Sequence, residues 1–235
     1  MGQAPDVTGD YPLPPWAMHG RSVMSPVWTR AADLSVPREL EIVQQAGRCQ
    51  GLLVYVEYRA PSTLSYSELA FMPCRVRPRG QAGPTGYWVS AMYVDSELSL
   101  AAGRSEWALP KRIATFERRE SRLQVRADDG LAVDLSLRVL PVGRRMRTRV
   151  ATLQTRDGEV LRFRGDFDTK VAPATLHVTR FTRGDEGWQG FRGRRRVPRP
   201  AAALLDFRAT MLEPDFPLRR TSAPNSGADG VWVEA

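Results

Sequence analysis

Short apolar runs with alternating polar positions dominate the sequence, and they predict β-strands. GLLVYVEY (51–58), TGYWVSAMYV (85–94) and LAVDLSLRVL (131–140) have the β-branched and aromatic content that favours strands. Further runs of this kind are RLQVRA (122–127), RVATLQT, EVLRFRGDF and ATLHVTRFT. DDG at 128–130 and RDGE at 156–159 are typical of hairpin turns. The pattern therefore predicts a mainly β, antiparallel single domain, a barrel or a sandwich, with a few short helices.

Helical pattern is scarce. The best candidate is SELSLAAGR, in which Ser96 can cap the helix and Gly103 can end it. RAADLSVP and PAAALLDF are two further short candidates. Residues 1–10 and 221–235 lack such patterns, so we expect a loose N-terminus and a C-terminal tail on either side of one domain at 11–220.

Composition excludes several kinds of site. The 235 residues include two cysteines and two histidines, too few and too scattered for a disulfide framework or a zinc site. No nucleotide-binding, hydrolase or metalloprotease motif occurs, so we expect neither a metal nor an organic cofactor. No apolar run is long enough to cross a bilayer, and the first residues do not resemble a secretory signal. These features predict a cytoplasmic protein without a membrane partner.

The chain is basic, with a net charge of +8, but its arginines are interleaved with acidic residues. FRGRRRVPRP (191–200) is the one dense basic run, and it leaves a nucleic-acid-binding module as an alternative that we do not favour. Of the 34 basic residues only two are lysines, Lys111 and Lys170. Lys170 lies between acidic residues and a predicted turn, so we expect it to be exposed. Lys111, in EWALPKRIA, has apolar neighbours on both sides.

Four segments resemble the acetoacetate decarboxylase-like family, and they occur in the family's order. MYVDSELSLAAGRSEWALPKRIATFE (92–117) resembles its signature region, and YPLPPWAMHGRSVMSPVW resembles its N-terminal segment. VYVEY and SYSELAFMP resemble the segments that carry its glutamates. The resemblance implies a β-cone or barrel-like domain that forms homo-oligomers and binds a small keto acid. It also implies that Lys111 forms a Schiff base, that Arg112 replaces a second lysine, that Arg21 binds the substrate carboxylate, and that Glu68 and Glu57 are pocket carboxylates.

The proposed role of Lys111 needs an uncharged amine. An ordinary lysine has a pKa of about 10.4, so only roughly one in 10³ is neutral near pH 7. Burial or a neighbouring cation lowers that pKa, and acetoacetate decarboxylase is itself the known example of a lysine activated in this way. Adjacent residues on a strand point to opposite faces, so Arg112 would point away from the amine and burial would dominate. Arginine cannot replace Lys111 in this role, because its pKa is above 12.

Two reactions are consistent with these residues. The first is decarboxylation of a β-keto acid through an imine on Lys111, and the second is an aldolase-dehydratase reaction on pyruvate or another α-keto acid through the same lysine. A non-catalytic family member is a third interpretation. Met92, Trp107 and Trp16 are candidate apolar walls of the pocket, although each residue type is equally typical of a core.

Overall fold

The computed structural model describes residues 11–193, 198–212, 214 and 233–234, and this part of the chain is mostly strand. It contains one α-helix, α1 (Glu97–Trp107), and two short 3₁₀ turns (Ala31–Asp33 and Glu186–Trp188). The strands are β1 (Trp16–Arg30), β2 (Leu40–Ile42), β3 (Arg48–Tyr58), β4 (Ser67–Met72), β5 (Cys74–Pro78), β6 (Gly86–Trp88), β7 (Ala91–Val94), β8 (Lys111–Ile113), β9 (Thr115–Arg119), β10 (Arg122–Arg126), β11 (Ala132–Val139), β12 (Arg144–Arg156), β13 (Glu159–Thr182), β14 (Arg199–Met211) and β15 (Val233–Glu234).

The strands form one curled sheet, a half-barrel, in the order β2-β5-β6-β12-β13-β14-β1-β3-β4-β7-β8. Strands β9, β10 and β11 extend it by pairing in series from β13. Most pairs are antiparallel, and the parallel exceptions are β7 with β8, β6 with β12 and β12 with β15. The predicted mainly β, mostly antiparallel single domain is confirmed. No helix in the described ranges is long and apolar enough to cross a membrane.

Strand β3 is covered on both faces of the sheet. Its residues from Gly51 to Val56 are all buried, as expected for a strand without polar alternation. Val54 and Val56 belong to one core cluster, together with Trp16 and Trp107. Leu53 and Tyr55 point the other way, into a second cluster. The first cluster surrounds the candidate site described below.

The two predicted hairpins are present. Residues 128–130 lie in the loop between β10 and β11, and Asp157 and Gly158 join β12 to β13. Asp157 and Gly158 have positive φ angles of 52° and 81°, which a tight two-residue hairpin turn requires.

Several element predictions need correction. PAAALLDF forms part of strand β14, because its backbone pairs with β1 on one side and β13 on the other. EVLRFRGDF and ATLHVTRFT belong to the single strand β13, whereas 85–94 is divided between β6 and β7. RAADLSVP contributes only a 3₁₀ turn.

The predicted helix start is confirmed, since the Ser96 side chain accepts a hydrogen bond from the Ser99 backbone N–H. The helix does not end at Gly103 but continues to Trp107, where Ala108 adopts the left-handed conformation. The predicted N-terminus (1–10), nearly all of the predicted tail (221–235) and the arginines of the basic run at 194–196 lie outside the described residues.

Candidate active site

A row of paired residues places Lys111 on the inner face of the curled sheet. Met24 pairs with Val54, Val54 with Ala70, Ala70 with Met92, and Met92 with Lys111 across strands β1, β3, β4, β7 and β8. Paired residues of neighbouring strands share a face, so all five belong to the same side of the sheet. Lys111 lies at the end of this row, and only 2% of its side chain is exposed.

Helix α1 covers the Lys111 side chain and contacts it at three positions. The Lys111 Nζ donates a hydrogen bond of 2.8 Å to the Ser99 Oγ. Gly103 lies beside the side-chain stem of Lys111, where a Cβ atom would collide with it. The Arg104 guanidinium donates two hydrogen bonds, of 2.9 and 2.7 Å, to the Lys111 carbonyl oxygen. The helix therefore fixes both the backbone and the amine of this residue.

Glu68 is the partner of the amine. Its Oε2 lies 3.2 Å from the Lys111 Nζ, and its side chain is buried. Tyr66 lies immediately before β4, and its hydroxyl donates a hydrogen bond of 3.4 Å to the same Glu68 oxygen. The Lys111 Nζ also lies 5.1 Å from the centre of the Tyr66 ring. These three side chains form the polar end of the inner face.

Burial sets the protonation properties of this group. It lowers the pKa of the Lys111 amine below that of an ordinary lysine, because the ammonium form loses its hydration. The charge of Glu68 and its hydrogen bond oppose this shift without cancelling it. Burial also raises the pKa of Tyr66 well above its usual value, so its hydroxyl stays protonated and can donate.

A cavity of about 90 Å³ opens next to the amine. Its walls are mostly apolar and include Met92, Trp107 and Trp16, which the sequence suggested as walls. Lys111 and Glu68 are the two charged residues among its described lining. Thr152 also lies in the lining; it is buried, and its hydroxyl oxygen has no hydrogen-bond partner among the described residues.

Arg112 points to the opposite face of the sheet. Its side chain is 46% exposed, and its Nε lies 2.8 Å from Asp185 Oδ2 and 3.8 Å from Asp129 Oδ2. Asp129 in turn accepts a hydrogen bond of 2.7 Å from the hydroxyl of Tyr93, the residue paired with Arg112. The guanidinium thus lies on the other side of the strand from the Lys111 amine.

The structure does not bring Arg21 and Glu57 to Lys111. Glu57 alternates on β3 with Val56 and Tyr58, which line the cavity, so its carboxylate lies on the outer face. Arg21 is its paired neighbour on β1 and donates a hydrogen bond of 2.9 Å from Nε to Glu57 Oε2. Neither residue is part of the cavity lining. The expectation that both belong to one pocket with Lys111 therefore does not match their placement.

Glu57 is the centre of a separate arginine cluster. Arg59 and Arg118 also bind it, with Arg118 Nη1 lying 2.7 Å from Oε2. Burial raises the pKa of Glu57, but the hydrogen bonds from Arg21 and Arg59 outweigh that effect and hold the pKa below its usual range. The carboxylate is therefore ionised and engaged in ion pairs.

Sequence reasoning missed Ser99, Tyr66, Arg104 and Thr152. Tyr66 lies two residues before Glu68, and residues two apart on an extended segment share a face, so Tyr66 had a usable spacing signal. Ser99 had no such signal, because its contact with Lys111 depends on how helix α1 packs against β8. Thr152 had none, since it comes from β12, far from Lys111 in sequence. Lys170 is exposed, as predicted. No cluster of three or more His, Cys, Asp or Glu residues suited to a metal ion occurs within the described part of the chain.

Solved structures share this fold at low sequence identity. One is the enduracididine biosynthesis enzyme MppR in complex with pyruvate, with a TM-score of 0.58 and 11% identity, covering 89% of this chain and 92% of that chain. Another is acetoacetate decarboxylase from Legionella pneumophila subsp. pneumophila str. Philadelphia 1, with a TM-score of 0.55 and 13% identity over 90% of each chain. These likenesses support the fold.

The sequence itself identifies the family. It matches the family model described as acetoacetate decarboxylase over residues 3–201, well beyond the segments that carry the resemblance. No curated protein matches it significantly. Because the match spans most of the sequence, the chain belongs to the acetoacetate decarboxylase family, a family of Schiff-base-type lyases.

Proposed function

We propose that this protein decarboxylates a β-keto acid through an imine on Lys111. One observation carries the proposal: the Lys111 amine is buried at the end of a small apolar cavity, and burial lowers its pKa. A neutral amine is the form that attacks a carbonyl, and desolvation increases its population near neutral pH.

The reaction uses the substrate, these side chains, water and one proton. The Lys111 amine adds to the ketone carbon, water leaves, and a protonated imine forms. The bond between the α-carbon and the carboxylate then breaks, CO₂ leaves, and the electron pair forms an enamine with the imine. A proton adds to the α-carbon, and water hydrolyses the imine to release the ketone and the free amine. The net reaction consumes one proton and gives one ketone and one CO₂.

Glu68 is the candidate acid and base. Its carboxylate lies 3.2 Å from the Lys111 Nζ, within reach of a proton on the amine or on a water at the imine carbon. The Tyr66 hydroxyl donates a hydrogen bond to Oε2 of Glu68, the oxygen nearest the amine, and this keeps the carboxylate oriented. Ser99 accepts from the amine and fixes its direction. We assign Glu68 to proton transfer, and Ser99 and Tyr66 to positioning.

The cavity favours loss of the carboxylate over its retention. No arginine occurs among the described lining residues, so the protonated imine on Lys111 is the cation available to a bound carboxylate. The Glu68 carboxylate lines the same small cavity, so a substrate carboxylate beside it is poorly stabilised. Its charge disperses when CO₂ leaves, and this lowers the barrier to decarboxylation. An α-keto acid aldolase keeps the carboxylate throughout and gains nothing from this environment.

Aldolase-dehydratase chemistry on pyruvate is the second candidate. The structurally similar enzyme MppR is described in complex with pyruvate. The same lysine and the same carboxylate would serve both reactions, so the products decide between them.

Reductive trapping tests the proposal. The protein is incubated separately with acetoacetate and with pyruvate, treated with borohydride and mapped by peptide mass. We expect label on the peptide that carries Lys111, none on Lys170, and none in a Lys111→Met variant. CO₂ release with acetoacetate supports decarboxylation, whereas condensation of pyruvate with an aldehyde supports the second candidate. No labelling by either acid between pH 6 and 9 would contradict imine chemistry on these substrates.

We also propose a homo-oligomer, which the family resemblance implied. Val139, Leu140 and Val142 form an exposed apolar segment at the end of β11, and an assembly would remove it from water. Light scattering of the purified protein gives the mass directly, and a monomeric mass at micromolar concentration would contradict the proposal.

As for Arg21, Arg112 and Glu57, which the resemblance placed in the active site, we propose structural roles in ion pairs. Their contacts to Asp185, Asp129 and neighbouring arginines support this assignment.

A further inference from the structure

The cavity has a polar end and an apolar end, and both lie along the inner face of strand β4. Glu68 and Met72 lie on this face, four residues apart, which corresponds to about 13 Å along a strand. The Lys111 side chain reaches from the row of Ala70 toward Glu68, where Tyr66 also lies. Away from these groups the lining is apolar except for Thr152, and it includes Met72, which pairs with Leu52.

Methionine is concentrated in this cavity. Four of the seven methionines of the chain line it: Met24, Met72, Met92 and Met211. Methionine is unbranched and has three rotatable side-chain bonds, so a wall of methionines can adjust to flexible apolar ligands of different length. A rigid polar substrate would gain no comparable stabilisation from a wall of methionines.

The cavity is small, however. An engineered cavity of about 150 Å³ binds benzene, and this one measures about 90 Å³. A substrate therefore enters only if wall side chains move, and flexible methionines yield more readily to an unbranched alkyl chain than to a rigid phenyl ring. The charged atoms of the substrate are restricted to the end near Lys111 by the apolar walls elsewhere.

We propose that the site selects 3-oxo acids that carry an unbranched alkyl group of two to four carbons on the ketone carbon, in preference to the methyl group of acetoacetate. This inference rests on the proposed imine chemistry of Lys111. The ketone carbon bonds to the amine near Glu68, and the alkyl group extends toward Met72 and Leu52. The products are CO₂ and the corresponding 2-alkanone.

A series of substrates tests the inference. Decarboxylation of 3-oxobutanoate, 3-oxopentanoate and 3-oxohexanoate is followed by CO₂ release, and imine formation by borohydride trapping. Burial of one methylene corresponds to a factor of about four, so kcat/KM rises about fourfold at each step. The branched 4-methyl-3-oxopentanoate and the phenyl-bearing 3-oxo-3-phenylpropanoate react more slowly than 3-oxohexanoate.

Two methionine variants locate the alkyl group. Met72→Ala enlarges the apolar end, so the chain length with the highest kcat/KM moves to longer acids. Met18→Ala is the matched control, because Met18 is buried in the same core cluster but does not line the cavity. It keeps the preference of the unmodified protein even where it lowers stability.

The outcomes separate this inference from the proposed function. Trapping with acetoacetate and a flat or falling series would overturn the alkyl preference and leave the imine chemistry intact. Equal shifts in Met72→Ala and Met18→Ala would overturn the assignment of the apolar end. Absence of an imine with every acid would overturn the proposed function and this inference with it.

Discussion

Gly103 lies directly against the side chain of Lys111. A Cβ atom at Gly103 would come within 2.6 Å of the Lys111 Cε and closer still to Cδ. Gly103 is in the interior of helix α1, where glycine costs about 1 kcal/mol relative to alanine. Helix α1 therefore has glycine, a poor helix former, at the position that contacts the side chain of Lys111.

Gly103→Ala should displace the Lys111 amine. The gain in helix propensity is about 1 kcal/mol, and overpacking of a buried site costs about 1 to 3 kcal/mol, so stability stays level or falls. A small misplacement of a reacting group slows reaction by up to about a hundredfold, and we expect imine trapping to slow by about tenfold to a hundredfold. The initial rate of borohydride trapping measures this effect.

Leu98→Ala is the control for Gly103→Ala. Leu98 is an exposed residue of the same helix, so its truncation alters the helix without touching the amine. Normal trapping in Gly103→Ala would contradict the steric role assigned to the glycine.

Glu68→Gln should move the pH dependence of Lys111 to lower pH. Burial lowers the pKa of Lys111, and the carboxylate of Glu68 partly restores it. The neutral amide removes that opposing effect, so the pKa falls further. Only the free amine reacts, so the trapping rate rises with pH through this pKa and then levels off. The midpoint of that rise is the measurement, and the peptide with exposed Lys170, which we expect to stay unlabelled, is the internal control.

In Glu68→Gln, the steps that follow imine formation should become slower. Faster trapping at acidic pH combined with slower CO₂ release is the expected pattern if Glu68 transfers protons. A midpoint that moves to higher pH would show that the carboxylate does not stabilise the ammonium form.

Arg112→Gln should leave the pH midpoint of Lys111 unchanged. The guanidinium lies on the opposite face of the sheet, and its ion pair with Asp185 is half exposed. Such a pair contributes at most about 1 kcal/mol to stability. Thermal unfolding and the trapping midpoint are measured together, with Arg112→Lys as the control that retains a cation. A nearby cation lowers the pKa of an amine, so a midpoint that rises in Arg112→Gln would show that Arg112 acts on Lys111 after all.

Thr152→Val should stabilise the protein in the absence of a ligand. The Thr152 hydroxyl is buried and unpartnered among the described residues, and such a group costs about 1 to 3 kcal/mol. Valine has nearly the same shape and lacks the hydroxyl, so the midpoint of denaturant unfolding should rise.

Thr169→Val is the matched substitution for Thr152→Val. Thr169 is equally buried, but its hydroxyl donates a hydrogen bond of 3.1 Å to the Leu205 carbonyl oxygen. Its removal should destabilise the protein. Equal losses in the two variants would show that the Thr152 hydroxyl is satisfied in the folded protein.

The local pattern of the sequence determined much of this protein. Apolar runs and turn residues identified most strands and both hairpins, since side-chain period and turn conformation are properties of a few consecutive residues. The same period predicted that Lys111 and Arg112 point to opposite faces. The chemistry of the two side chains singled out Lys111, because an arginine cannot supply a neutral amine. Segments shared with the acetoacetate decarboxylase family gave the family itself.

The tertiary structure decided which face of each strand is inside. Glu57 and Glu68 are both carboxylates in apolar strands, yet only Glu68 reaches Lys111, because the direction in which the sheet curls depends on strand pairing far along the chain. Arg21 follows Glu57 to the outer face for the same reason. PAAALLDF has the composition of a short helix, but pairing on both edges makes it a strand. The cavity is lined by side chains from helix α1 and from strands β1, β3, β4, β7, β8, β12, β13 and β14, so only their assembly determines its size and its apolar walls.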